Sequence, residues 1–415
     1  MYDLVVLWDW IGFAVRWLHV IAGMAWIGAS FYFIALDLML KPAPDMPEGA
    51  SGEEWEVHGG GFYHTTKYMV APARLPEHLT WHKWQSYTTW LSGAALLAIV
   101  YWVGGEIYLL DPQKAELMLW QGILISAASI GVGWLIYDWL CKSRLGDFPN
   151  AMMLALFVVI VAMSWGLNQV FTGRAALLHL GAFTATIMTA NVFFIIMPNQ
   201  RIVVADLKAG RTPDPKYGKI AKLRSTHNNY LTLPVVFLML SNHYPLAFGT
   251  EHAWIIASLI FLTGVTIRHY FNTMHLTGRG PHWTWAVTAG LMLLIAWLST
   301  AQMRGGETWE EAEARPLTAH EARFAKAAGF EDAYSIVLGN CAMCHAREPV
   351  YSATMLWAPK GVVLETEADV ARQAREIYLQ SGVSHAMPPP SASWTITEED
   401  RAMIVAWYRA ARAGE

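Results

Sequence analysis

Cysteine is scarce in this chain: three in 415 residues. A disulfide framework is therefore excluded. Charge is scarce too, at 15%, with 54% hydrophobic residues and a net charge of −4. No basic patch points to nucleic acid. No His-His dipeptide occurs, which argues against an oxygen-reducing haem–copper site. No cleavable signal pattern precedes the first apolar run, so that run is expected to serve as the insertion signal.

What is present is concentrated. Two of the three cysteines fall in Cys341-Ala-Met-Cys344-His345. This CxxCH spacing attaches c-type haem: Cys341 and Cys344 add to the vinyl groups, and His345 ligates the iron. A redox CxxC or half a zinc site would use the same cysteines, but no second Cys pair is present. Met387, in His-Ala-Met-Pro-Pro-Pro, supplies a thioether for the other iron face, a ligand that favours electron transfer over oxygen binding. Helices are expected over Ala322–Leu338 and Ala368–Ser381, and a third opens at Thr397-Glu-Glu-Asp with Thr397 as its N-cap. Residues 321–415 thus read as a class I monohaem cytochrome c domain, and the polar, acidic 303–320 as a linker. The covalent haem would supply much of so small a core.

Residues 1–302 read as an all-α transmembrane domain. Eight apolar stretches approach the length of a bilayer span: Ile11–Leu36, Thr88–Tyr108, Leu117–Leu140, Ala151–Val170, Ala175–Met197, Tyr230–Phe248, Ala253–Tyr270 and Trp283–Ala301. Trp and Tyr cluster at many of their ends. Lysine and arginine crowd the loops after spans one, three, five and seven. The alternate loops hold only Lys114 and Arg174. By the positive-inside rule both termini are outside, which places the cytochrome in the periplasm of a bacterial inner-membrane protein. Haem c is attached in the same compartment. Leu18-His19 in span one matches Leu178-His179 in span five, and His82 stands before span two as His227 does before span six. A 4+4 repeat is expected from these matches.

Ionisable groups within spans are costly and are functional candidates by default. His19 and His179 sit in the outer halves of their spans, where neutral imidazole can ligate haem b or merely hydrogen-bond between helices. Arg16, one turn before His19, either meets a haem propionate or snorkels to the interface. On the inner side are His58, His64, His78, His82, His227, His269, His275 and His282, with Arg74, Arg224, Arg268 and Arg279. Arginines and aromatics suit an anionic ring-shaped substrate, and histidines can move its protons. Gly59-Gly-Gly can let backbone approach a ligand. The candidate catalytic residues are Arg268, His269, His227 and Arg224, with Glu77, Asp138 and Asp37 as further carboxylates. Cys141 reads as a buried inert thiol.

Trp17-Leu-His-Val-Ile-Ala-Gly-Met-Ala-Trp-Ile-Gly28, the eight spans and the C-terminal CxxCH domain together resemble the bacterial membrane-bound, cytochrome-c-fused urate oxidase (urate hydroxylase) family. The resemblance covers the whole chain. It implies oxidation of urate to 5-hydroxyisourate, with water as oxygen donor. Electrons would leave through haem c to a terminal oxidase or a soluble cytochrome c. The Leu-His pattern of span one is also similar to membrane protoporphyrinogen oxidase, whose span-one histidine is thought to hold haem b. Two other classes stay open: a cytochrome-linked dehydrogenase for a porphyrinogen or quinol, and a non-catalytic electron relay.

Overall fold

In the computed structural model the described residues are 4–68, 72, 75–112, 114–300, 316–351, 355, 358–359, 362–389, 392 and 394–413. Arg74 and most of the expected linker lie outside them. The chain divides into two compact units. One is Leu7–Ala301. The other is Gln302–Glu415 together with Met1–Val6.

The first unit is helical. Its elements are α1 (Leu4–Met39), a β1–β2 hairpin (Ala50–His58, Gly61–Tyr68), α2 (Trp84–Leu97), α3 (Gly105–Tyr108), α4 (Leu119–Lys142), α5 (Pro149–Val170), α6 (Gly173–Ala190), α7 (Met197–Lys208), α8 (Pro215–Ser241), α9 (Pro245–Phe248), α10 (Ala253–Thr277) and α11 (Trp283–Ser299). Each of the eight apolar stretches is mostly helical, with breaks at 103–104 and at 242–244. Among the described residues five helical runs are long and apolar enough to cross a membrane: α1, α4, α5, Gly173–Lys208 and α10. The second stretch, by contrast, is a 14-residue helix continued by a π-helical turn, and α11 has 17 residues. Leucines and tryptophans such as Trp139, Leu154, Trp165 and Leu293 are exposed on these helices. That is the pattern of helices whose surroundings are apolar rather than aqueous.

The core forms around α6, which packs on α2, α4, α5 and α8. Leu177, Leu180, Phe183 and Ile187 recur at helical spacing on α6 and are fully buried. α1 differs: only Ala22 and Leu36 of its 36 residues are buried. The two helices that carry the matched histidines therefore occupy unlike positions, one peripheral and one central.

The hairpin departs from the sequence reading. Gly59 (φ +59°) and Gly60 (φ +82°) form its two-residue turn, with His58 opposite Gly61. Positive φ at both turn positions is what a twisted two-residue hairpin needs. These glycines make the chain reversal.

The second unit contains α12 (Ala319–Ala325), α13 (Phe330–Cys341), α14 (Glu367–Arg372), α15 (Ala374–Ile377) and α16 (Glu398–Arg412). The expected single helix over 322–338 is two, parted at Gly329, whose φ of +82° no α-helix accommodates. α13 packs on α16, around Val337, Ile404, Trp407 and Tyr408. Trp407 Nε1 donates to the Phe324 carbonyl at 2.9 Å. Thr397 caps α16 in a reciprocal box with Asp400, as its sequence predicts.

Candidate functional site

Polar side chains inside the first unit gather on both sides of α8, around the neighbours Asn228 and Asn229. One side is a closed network. Arg224 Nη2 donates to Asp138 at 2.8 Å and Nη1 to Asn191 Oδ1 at 3.1 Å. Asn191 Nδ2 donates to the Tyr137 phenol at 3.0 Å and to Asn228 Oδ1 at 2.9 Å. Asn228 Nδ2 donates to the Met188 carbonyl at 2.9 Å. The phenol, accepting from Asn191, donates to His227 Nδ1 at 2.9 Å. That assignment puts the imidazole proton on Nε2, which is buried without a partner. Lys142 reaches Asp138 at 2.6 Å from the exposed end of α4.

The other side faces a cavity of about 260 Å³ between α1, α8 and α10. Asp37, Lys222, Thr226, Asn229, Tyr230, His269 and Asn272 contribute its polar lining. Arg268 stands behind this wall. Its Nε donates to Asn229 Oδ1 at 3.3 Å and its Nη2 to Asn272 Oδ1 at 3.0 Å. Asn272 Nδ2 also donates to Asn229 Oδ1, at 3.0 Å. The guanidinium lies over the Phe31 ring at 4.2 Å. Asn229 is fully enclosed, yet its Nδ2 has no partner. At the rim Asp37 pairs with Lys222 at 3.1 Å and with Lys67 of the hairpin. Burial, with Lys222 close by, pulls the Lys67 ammonium down to about 8.

The four candidate catalytic residues are thus divided. Arg224 and His227 belong to the closed network, Arg268 backs the cavity, and His269 lines it. The remaining inner histidines are dispersed. His64 stacks on Trp55 and bonds Glu53 at 2.9 Å, His82 meets the Phe33 ring, and His282 meets Tyr270. Among the described residues no three His, Cys, Asp or Glu side chains gather as metal ligands. Sequence reasoning missed Tyr137, Asn191, Asn228, Asn229 and Asn272. The available signal was amide side chains within apolar helices, where each must find a partner.

A second cavity, of about 480 Å³, lies between α1 and the helices α2, α4, α6 and α8, toward the other end of α1. His19, Arg16, Arg174 and Tyr101 line it. His19 Nδ1 bonds the Thr89 carbonyl at 2.9 Å and Ser92 Oγ at 3.1 Å. A Cβ on Gly93 would stand 2.9 Å from the His19 ring, so glycine there lets the imidazole lie against α2. His179 is outside this wall and fully buried. Its Nδ1 donates to the Ala175 carbonyl at 2.7 Å, and its Nε2 accepts from Ser126 at 2.7 Å.

Each region borders a π-helical turn. Asn191 opens one at Asn191–Ile196, and Tyr101 and Trp102 belong to another at Ala98–Trp102. Such turns rotate side chains out of α-helical register and recur at functional sites.

In the second unit Cys341 ends α13, and Cys344 and His345 follow in the next turn. Burial pushes the Cys341 thiol up to about 11 and raises Cys344 as well. His345 Nδ1 bonds the Val362 carbonyl at 2.9 Å. The loop carrying Met387 is held from beneath by Arg401, which is buried. Arg401 Nη1 donates to the carbonyls of Ser381 at 2.5 Å, Met387 at 3.2 Å and Ser384 at 3.4 Å.

Residues 5–299 match the urate oxidase N-terminal family, which covers most of the chain, and the chain belongs to that family. No curated protein and no solved structure matches it.

Proposed function

We propose, from that family membership, that the chain is a membrane urate oxidase coupled to its own cytochrome domain. Urate and water become 5-hydroxyisourate, releasing two electrons and two protons. A haem c held by Cys341, Cys344, His345 and Met387 would supply one-electron transfer toward a respiratory terminal oxidase or a soluble cytochrome c. The five helices able to cross a membrane, and their exposed apolar side chains, support placement in a bilayer.

The observation that carries the substrate site is Asn229 Nδ2: a buried donor without a partner at the wall of a cavity. An unmade buried hydrogen bond costs about 1–3 kcal/mol, so such an atom is expected to meet a ligand acceptor. A urate carbonyl fits. Arg268 fixes Asn229 and Asn272 through their oxygens, and with Asn272 Nδ2 turned to Asn229 Oδ1, Asn229 Nδ2 is the donor left over. It also adds positive potential for an anion. His269, on the same wall, is placed to take a proton. Arg224 and His227 act as the scaffold that holds α4, α6 and α8 around this wall.

The C-terminal residues fit a covalent haem. Cys341 and Cys344 are within one turn of each other, and His345 donates Nδ1–H to a carbonyl, leaving the Nε2 lone pair for iron. Met387 would supply the thioether on the other side of the iron. Replacing it with alanine should abolish the sulfur-to-iron charge-transfer band and lower the potential; an unchanged band would reassign the ligand, with Met403 or Met355 next. Replacing both Cys341 and Cys344 should abolish haem that survives denaturing gels. The reaction is tested by anaerobic turnover in ¹⁸O-labelled water with an artificial electron acceptor. The label should enter 5-hydroxyisourate. Oxygen-dependent turnover with peroxide release would refute the scheme.

A further inference from the structure

The larger cavity has a purpose that urate does not explain. It is long: Arg174 and Thr189 both line it, and 15 residues of α6 span about 22 Å. Its wall is mostly apolar, built from residues such as Val20, Trp26, Ala182 and Leu178. Its volume of about 480 Å³ lies within the range of ligand cavities. Urate is small and polar along its whole edge and would leave most of this wall without a partner.

Two polar atoms here are buried and unpaired. Tyr101 is 3% exposed, and its phenol oxygen lies beside the Arg174 guanidinium without a well-formed hydrogen bond. Arg174 Nε has none either. Arg174 stacks its guanidinium over Tyr108 at 5.0 Å, and Arg16 adds a second cation to the same lining. A donor phenol and two guanidiniums make a receptor for carboxylates. His19 lines the same wall, level with Thr89 and Gly93. Its Nδ1 is committed to the Thr89 carbonyl at 2.9 Å, which leaves the Nε2 lone pair available. A histidine that ligates metal holds its other nitrogen in this way. His345 does the same with Val362, also at 2.9 Å. His179 does not, because Ser126 already occupies its Nε2.

We infer that this cavity holds a non-covalent haem b, with His19 Nε2 as an axial ligand and the propionates at Arg174, Arg16 and the Tyr101 phenol. An apolar planar ring with two carboxylates at one edge is the ligand class that meets both the long apolar wall and its cationic end. When bound, such a haem is a one-electron carrier. The inference excludes His179 as a ligand. It stands independently of the substrate reading, since it concerns cofactor content and not turnover.

The test uses purified full-length protein. A pyridine haemochrome spectrum should show b-type and c-type haem in a 1:1 ratio, and acid–acetone should extract only the former. His19→Gln should lose the b-type haem and keep the c-type, whose content reports that the chain folded. If that variant does not accumulate, His19→Met should shift the low-spin resonance signature of the b-type centre, leaving that of haem c in place. Arg174→Gln should retain the haem with a lowered midpoint potential, because a cation beside the propionates favours the reduced iron. His179→Gln should keep the b-type axial signature. Wild-type protein with covalent haem alone would overturn the inference, as would unaltered b-type haem in His19→Gln. Urate-driven reduction of haem c is read separately, so either proposal can fail alone.

Discussion

Asn228 and Asn229 are consecutive on α8, yet they serve opposite surroundings. On the Asn228 side every side-chain amide and the Arg224–Asp138 pair have partners, and His227 Nε2 is the single atom left over. On the Asn229 side the oxygen accepts from two donors while the nitrogen is buried without a partner, in a residue that lines a cavity. A polar network with nearly all its donors and acceptors paired fixes helix positions and has little remaining capacity for a ligand. An unsaturated one keeps that capacity, at a cost to the empty protein. Under the proposed function, the difference makes one face of α8 scaffold and the other recognition.

Substitutions on the two faces should therefore separate stability from affinity. The largest effect is expected from Asp138→Ala, which leaves the Arg224 guanidinium buried without its carboxylate. Breaking a buried pair costs about 3–5 kcal/mol, and thermal unfolding in detergent should show it. Urate affinity per folded molecule should then change little. Arg268→Ala should act the other way. It frees Asn229 and Asn272, and weakens urate binding about ten- to a hundred-fold by calorimetry, with haem c content intact. Asn229→Ala removes one donor and should cost about tenfold in affinity with little loss of stability. Asn228→Ala should destabilise by about 1–3 kcal/mol and leave binding alone. If Asn228→Ala weakened urate more than Asn229→Ala does, the assignment of the two faces would be reversed. The smallest effect, about 1 kcal/mol, is expected from Thr397→Ala at the cap of α16, confined to the second unit's unfolding.

The parts legible in the sequence are those set by local rules. Cys341, Cys344 and His345 are within five residues, and Thr397 with Asp400 makes a cap by spacing alone. The apolar stretches announce helices because the 3.6-residue repeat and the run length are both local properties. The wall of the smaller cavity was not legible, since Asn229, His269 and Asn272 come together only when α8 and α10 pack. An asparagine carries no charge to draw attention in a helix. The π-helical turns were hidden for a related reason: their shifted hydrogen bonds follow from packing, with no residue code of their own. Gly59 and Gly60 were ambiguous in the sequence, because a hairpin turn and a ligand loop ask for the same backbone freedom. His19 and His179 looked equivalent, and only their partners, Thr89 and Ser126, tell them apart.

The most direct test of the account is anaerobic addition of urate to purified, oxidised full-length protein, following the reduced c-haem absorption band. Wild type should reduce its own haem c, and Asn229→Ala should need about tenfold more urate to do so. A chain whose haem c is reduced by dithionite and remains oxidised at saturating urate would contradict the account.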